Sequence, residues 1–340
     1  MVKIIIAFIM FLSLVLFHEF GHFIVAKISG IKVNEFAVGM GPKIFSKQKG
    51  ETLYSLNLFP IGGYCAMEGE DDESDDPSSY TNAKSYKKFF TILAGPAMNF
   101  IIAIIVFAIV AFNMGVSTNE VGGFSENSSA LKSGIEIGDE IISVNNNKIK
   151  EFADISKYLN DFYSTNSRNK QVEITVLKNG KIKKEKQYEV NADFSTGSPL
   201  LGIYASQKKE GIIRSIKEGI KETWKMSILL VKTIFSLITG KLKLSSLSGP
   251  IGVIKVLGEQ ANEGFFNLLY FLGYISVNLG FFNLLPIPAL DGSKILESLF
   301  EMISGKKVNK KISIAINTAG FIFLLGLILI VSIKDIVTLF

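Results

Sequence analysis

Residues Ile4–Ala26 read IIIAFIMFLSLVLFHEFGHFIVA, an apolar run long enough to cross a bilayer, with His18, Glu19 and His22 inside it. These are the only 2 histidines of the chain, and they stand four residues apart. On a helix, that spacing puts both imidazoles on one face, where they can share a metal ion while Glu19 reaches a water beside it. Ionisable groups within a membrane are expensive unless paired or metal-bound, so a functional site is the default reading. Zinc held this way needs a third protein ligand and an open position. Glu19 would then take a proton from the attacking water and deliver it to the leaving amine.

The rest of the chain fits a membrane setting. Of 340 residues, 48% are hydrophobic and 20% charged, 27 are Phe, and the mean hydropathy is +0.35. An ordinary cytosolic enzyme of this size is less apolar. The lone cysteine, Cys65, excludes an intrachain disulfide and a zinc finger, so any metal falls to His and carboxylates, with Cys65 a conceivable fourth ligand. The net charge of +5 comes from lysines that flank apolar runs, which argues against nucleic-acid binding. The acidic run Glu68–Asp76 reads as a solvated loop without chemistry.

Three further spans follow, within Phe89–Asn119, from Phe265 to Leu290, and from Ile312 to Ile333. Met226–Thr239 is too short and carries Lys232, so it reads as an interfacial or re-entrant amphipathic helix. Lys27 and Lys32, Lys84, Lys87 and Lys88, and the lysines from Lys294 to Lys311 mark the two short loops as cytoplasmic. Both termini and the long segment after Met114 then lie outside. A cleavable signal peptide is the alternative for the N-terminus. No small-residue cleavage site follows the run, and cleavage there would discard both histidines.

The third ligand should sit at the depth of the histidines. Asp291, in NLLPIPALDG at the cytoplasmic end of the third span, is the clear candidate, and Pro286 and Pro288 break the helix before it. The outer segment reads as a small β-rich unit. Its strands are placed at Thr118–Phe124, within Gly138–Ile149, at Val172–Val176, toward Val190 and at Leu200–Ala205, with an Asn179-Gly180 hairpin and helical spacing over Phe152–Asn160.

Five motifs in order, HEFGH, PIGGY (Pro60–Tyr64), AGPAMN (Ala94–Asn99), LSGPIG (Leu247–Gly252) and SVNLGFFNLLPIPALDG (Ser276–Gly292), resemble the site-2 protease family of intramembrane zinc metalloproteases. The resemblance is in particular to its bacterial branch with an extracytoplasmic PDZ domain that regulates envelope-stress sigma factors. The resemblance implies one Zn²⁺ on His18, His22 and Asp291, with Glu19 as general base. It implies substrate contacts from Asn278, Asn283, Gly62, Gly63 and Tyr64, though interhelical hydrogen bonding is the alternative for the asparagines. Gly39–Tyr64 resembles the family's membrane-associated cytoplasmic β-hairpin, which can pair with an unwound substrate. Ser128–Ile149 resembles a PDZ domain, in which Leu201, Gly202 and Ile203 would receive a chain-terminal carboxylate, unless the domain acts only as a size filter. The family usually has a second Gly after LDG, where this chain has Ser293, which leaves the geometry of that loop open.

The resulting expectation is a polytopic α-helical membrane protein with four transmembrane helices. Residues 1–113 form the first half of the protease core with the hairpin loop 30–88, residues 114–206 an extracytoplasmic PDZ-like α+β domain, 207–264 an amphipathic interfacial segment, and 265–340 the second half of the core. The resemblance implies cleavage within transmembrane segments of anti-sigma factors or leftover signal peptides, in the plasma membrane and in contact with its lipid, after an upstream site-1 type protease trims the ectodomain. The competing readings are an inactive PDZ-bearing membrane scaffold or chaperone and a cation transporter. Intact HEFGH with Asp291 argues against the first, and the shortage of polar residues in the second and fourth spans against the second.

Overall fold

The computed structural model describes residues 2–339 except 71, 73, 168–169, 179–183, 196 and 243–248. The chain divides into two compact units, one of residues 1–110 with 216–340 and one of residues 111–215. Among the described residues, four helices are long and apolar enough to cross a membrane. These are α1 (Val2–Ser29), α2 (Ser85–Met114), α7 (Phe265–Asn283) and α9 (Lys310–Leu339).

The span expected to reach Leu290 stops at Asn283. Pro286 and Pro288 offer no backbone N–H to continue the ladder, and Ala289 turns the chain at φ 72°. A new helix, α8 (Asp291–Ser304), starts at the aspartate itself. The span after Phe89 ends at Met114, where Gly115 at φ 92° caps the last turn through Ala111 O.

Between α1 and α2 lie β1 (Val33–Lys49) and β2 (Thr52–Met67). They are more than the expected Gly39–Tyr64 hairpin. Residues 33–38 pair antiparallel with 63–67 on one side and in parallel register with 53–56 on the other, and 43–49 pair with 52–57. Two long strands thus fold into a four-segment sheet. Its corners fall at Gly39, Gly41 and Gly62, with φ of 82°, 89° and 74°, a region open to glycine without steric cost. The segment 63–67 is one edge of the sheet.

Small residues set the helix crossings, as they do where membrane helices approach closely. A Cβ on Gly21 of α1 would stand 2.3 Å from Ala94 O of α2, and one on Gly280 of α7 would stand 3.0 Å from Pro96 O. Ser276 donates to the Asn99 carbonyl at 2.8 Å across the same α2–α7 contact.

The segment expected to be one interfacial stretch contains two helices, α5 (Ile212–Ile238) and α6 (Pro250–Glu263). The longer one packs along the spans. A Cβ on Gly219 would meet Ile104 O at 2.4 Å, Leu230 is buried with Ala103, Phe107 and Val277, and Glu222 accepts from the Tyr270 hydroxyl at 2.6 Å. Charges along Ile212–Ile238 conceal this apolar face from a hydropathy window. The acidic loop is also not simply solvated. Lys32 reaches Asp76 at 2.9 Å and Lys294 reaches Glu70 at 2.7 Å, so its carboxylates tie the loop to elements far away in sequence.

The second unit is an antiparallel sheet of β3 (Val116–Phe124), β4 (Glu140–Val144), β5 (Asn147–Lys148), β6 (Val172–Leu177), β7 (Glu185–Val190) and β8 (Ile203–Lys208). Its order is β7-β6-β4-β3-β8, with β5 paired to β4 through a turn in which Asn145 and Asn146 have φ of 46° and 62°. Two helices complete it, α3 (Ser129–Lys132), capped by Ser128, and α4 (Ala153–Thr165). Its core gathers the inward residues of the strands, among them Ile141, Val172, Ile174 and Val176, beneath Ile155 and Leu159 of α4. The Asn179-Gly180 turn lies outside the described residues, and the last strand starts three residues later than expected because Gly202, at φ 70°, turns the chain before Ile203.

Candidate metal centre

His18 and His22 lie one turn apart on one face of α1, both buried, with their Nε2 atoms 3.2 Å apart. Asp291 joins them from the N-terminus of α8, where the helix dipole favours a carboxylate. Its Oδ2 is 3.0 Å from His18 Nε2 and 3.3 Å from His22 Nε2. Among the described residues this is the one group of His, Cys and acidic donors close enough to share an ion, within 4.8 Å of one another. Asp291 Oδ2 is buried without a hydrogen-bond partner among the described residues, so it faces the two ring nitrogens as an unsatisfied acceptor.

One face of α2 forms the wall behind the histidines. Thr91, Gly95 and Asn99 recur every four residues, and α2 meets α1 in antiparallel register. Thr91 O is 2.9 Å from His22 Nδ1, and Asn99 Nδ2 is 3.1 Å from His18 Nδ1. A carbonyl can only accept, so Nδ1 of His22 carries the proton and Nε2 presents a lone pair. Asn99 Oδ1 is buried without a hydrogen-bond partner among the described residues. A half-turn of that amide brings the oxygen to His18 Nδ1–H and frees Nε2 of His18 in the same way. Gly95 stands between the two rings, where a Cβ would be 2.2 Å from His22 Nε2 and 2.9 Å from His18 Cε1.

The donor set fits a zinc ion. Three electron-pair donors converge, both distal ring nitrogens have orienting partners, and the glycine leaves the space on α2 open. Without a proton or a cation between them, two imidazole lone pairs and a carboxylate this close would repel.

Glu19 is half-buried beside β2, since a Cβ on Gly63 would stand 3.8 Å from Glu19 Cγ. The edge segment that carries Gly63 and Tyr64 therefore borders the centre. Gly62 is the sheet corner, and a Cβ there would meet the Met40 side chain at 3.2 Å. Asn278 donates back to Tyr274 O on its own helix at 2.8 Å, and Asn283 ends α7 half-buried. The amide hydrogen-bonded to a histidine is that of Asn99. Cys65 packs in an apolar cluster with Ala26, Val33 and Ile92, and burial pushes its thiol pKa up, which suits a core residue. In the second unit, Leu201 O accepts from Ala130 N at 3.1 Å and Ser128 Oγ at 3.0 Å, Gly202 O accepts from Ser125 N at 2.9 Å, and Ile203 opens β8 opposite Phe124.

The AGPAMN motif contains Gly95 and Asn99, but the sequence alone assigns neither of them a role. The available signal was an uncharged span holding a Thr, a Gly and an Asn at four-residue intervals, which marks one helix face. The Thr91 carbonyl leaves no side-chain signal.

Residues 6–327 match the model of peptidase family M50. The chain belongs to this family. It is similar over nearly its whole length to proteins named as zinc metalloproteases, 40% identical to one from Clostridium acetobutylicum across 98% of this chain and 97% of the relative. One from Clostridium perfringens is also 40% identical, across 98% of each. The regulator of sigma-W protease RasP of Bacillus subtilis is 29% identical across 100% of this chain and 99% of its own. Membership in the M50 or site-2 protease family makes the protein an intramembrane zinc metalloendopeptidase, and its four apolar helices make it a multi-pass membrane protein.

Proposed function

We propose that one zinc ion per chain is held by His18, His22 and Asp291, and that the enzyme cuts peptide bonds inside transmembrane segments of other membrane proteins. The observation that carries this reading is the convergence of those three donors from α1 and α8 against α2. When bound, zinc supplies Lewis acidity that activates a water and polarises the scissile carbonyl. Glu19 follows His18 directly and borders the edge segment of the sheet. Its carboxylate takes the proton of the attacking water and returns it to the leaving amine. Asn99 and the Thr91 carbonyl fix the imidazole tautomers. The edge at Gly63 and Tyr64 pairs with a substrate that has unwound, exposing the carbonyl a helix would hide. The exposed Met40, Ile44, Phe45, Leu58 and Phe59 suit that sheet to a lipid surface.

The lysine distribution supports a plasma-membrane topology with both termini and the unit of residues 111–215 outside and the metal centre toward the cytoplasm. That unit acts as a PDZ-like module, reading the new end of a substrate already trimmed by a site-1 type protease or excluding untrimmed ones. The likeness to RasP supports a membrane-anchored anti-sigma factor as the substrate class.

The test compares wild type with Glu19→Gln, each purified in detergent and assayed for zinc content and for cleavage of a fused model transmembrane segment. Both should hold about one zinc, and only wild type should cleave. Cleavage by the glutamine variant would remove Glu19 as base, and absence of zinc from both would remove the metal assignment.

A further inference from the structure

The loop that delivers Asp291 is held from outside the site. Ala289 sits in the left-handed region at φ 72°, which L side chains disfavour. Its N–H donates to Asn317 Oδ1 of α9 at 2.9 Å, and the Ser293 hydroxyl lies 3.1 Å from the same oxygen. Asn317 Nδ2 donates to Ser313 Oγ at 3.3 Å, and that hydroxyl donates to Glu297 Oε1 of α8 at 2.6 Å. The amide is therefore oriented, with its oxygen toward the loop. One turn further on, Gly320 lets the loop rest on α9, since a Cβ there would stand 2.4 Å from Pro288 Cβ. Ser293, at the position where the family's glycine was expected, is used within this contact.

We propose that Asn317 on the last span is a positioning residue of the metal centre. Its amide oxygen keeps Ala289 left-handed and so presents Asp291 to His18 and His22. This rests on Asp291 being a zinc ligand, as proposed above. An alanine forced into the left-handed region without a partner is disfavoured by roughly 5- to 30-fold. Apparent zinc affinity falls by the fraction of chains that lose the competent loop, so Asn317→Leu should weaken zinc by about the same factor. Glycine adopts this conformation without the penalty. Ala289→Gly should therefore recover most of the loss when combined with Asn317→Leu.

The experiment measures zinc affinity by chelator competition on the full chain in detergent. The proteins are wild type, Asp291→Ala, Asn317→Leu, Ala289→Gly and the Asn317→Leu/Ala289→Gly double variant, with Asn317→Ala taken through the same comparison in case leucine prevents folding. Hydrogen exchange of the peptide 284–292 is followed in zinc-free protein, where loss of the Asn317 acceptor should speed exchange at Ala289. The expected result is weaker zinc and faster exchange in the Asn317 variant, with affinity restored to within about threefold of wild type by the added glycine. Wild-type affinity in Asp291→Ala would overturn the ligand assignment and the inference with it. Weakened Asp291→Ala together with unchanged affinity or unchanged exchange in the Asn317 variant would overturn the inference alone. So would a loss that glycine fails to repair.

Discussion

Replacing Gly95 by alanine should abolish zinc binding while leaving the fold in place. The added methyl would stand 2.2 Å from His22 Nε2, 2.5 Å from His22 Cε1 and 2.9 Å from His18 Cε1. The closest contact is at least about 1.2 Å short of ordinary van der Waals separation near 3.4 Å. Helix α2 is not free to shift, because it is packed on α7, where a Cβ on Gly280 would already stand 3.0 Å from Pro96 O and Ser276 is tied to Asn99 O. The imidazole of His22 has to move, and that movement breaks its 2.9 Å contact with Thr91 O. Metal–nitrogen distances tolerate about 0.2 Å, so a displacement of about 1 Å removes a ligand. The expected loss of zinc affinity is on the order of 100-fold or more, with an overpacking cost of about 1–3 kcal/mol in stability. Zinc content by mass spectrometry, cleavage of a model transmembrane segment and a thermal melt read these separately. Gly258→Ala and Gly326→Ala are the controls, since both positions are helical with nothing within 4 Å of the added methyl. Full zinc content and normal cleavage in Gly95→Ala would refute the placement of the metal against this face of α2.

Asn99→Leu should weaken zinc by about 10- to 100-fold by freeing the His18 ring, while Asn99→Asp, which keeps an acceptor for Nδ1–H, should retain most of the affinity; chelator competition distinguishes the two. In the second unit, Lys178→Met strips the ammonium 2.9 Å from Asp139, a carboxylate that is 1% exposed and keeps its hydrogen bond from Glu136 N, and should destabilise that unit by about 1.5–3 kcal/mol in limited-proteolysis unfolding curves. Glu35 provides a pH dependence. Burial would raise its carboxyl, but the Ser55 hydroxyl at 2.6 Å and the Lys43 ammonium at 2.9 Å outweigh it and hold the group below the usual carboxylate range. A depressed carboxyl stabilises fully above its unfolded pKa of about 4.3 and progressively less as pH falls through the folded value. Amide exchange in β1 should accordingly rise as pH drops below about 5, relative to a Glu35→Gln variant that lacks the dependence.

What the sequence made legible follows periodicity and chemistry carried by side chains. The spacing of His18 and His22 places them on one helix face without further information, and the prolines before Asp291 mark the break that brings it in. Relations between distant segments were not legible. Glu70 read as one charge in an acidic run because its partner, Lys294, lies far along the chain. The four-segment sheet read as a hairpin because glycine corners at 39, 41 and 62 fold each strand back without interrupting its β pattern. Helix α5 read as interfacial because its lysines and glutamates dilute the apolar face that Gly219 and Leu230 press onto α2 and α7.

The register of α1 against α2 explains why a glycine, rather than another polar residue, lies opposite the proposed metal position. Two histidines four apart span one helical turn, whereas Thr91 and Asn99, eight apart, span about two. Their hydrogen bonds therefore reach the outer Nδ1 atoms from either end, His22 from the Thr91 side and His18 from the Asn99 side. This tilts both Nε2 atoms inward toward a common point, 3.2 Å apart. The residue midway between Thr91 and Asn99 faces that point directly, and any side chain there would occupy the space of the ion or of the rings. In a membrane, where no bulk water is at hand to satisfy a stray imidazole proton, this pairing fixes each tautomer without help from an ion. The Thr-x-x-x-Gly-x-x-x-Asn stripe on α2 is thus the counterpart of the His-x-x-x-His pair on α1. Asp291 needs no such partner on α2, because it enters from the start of α8 with its loop held by α9.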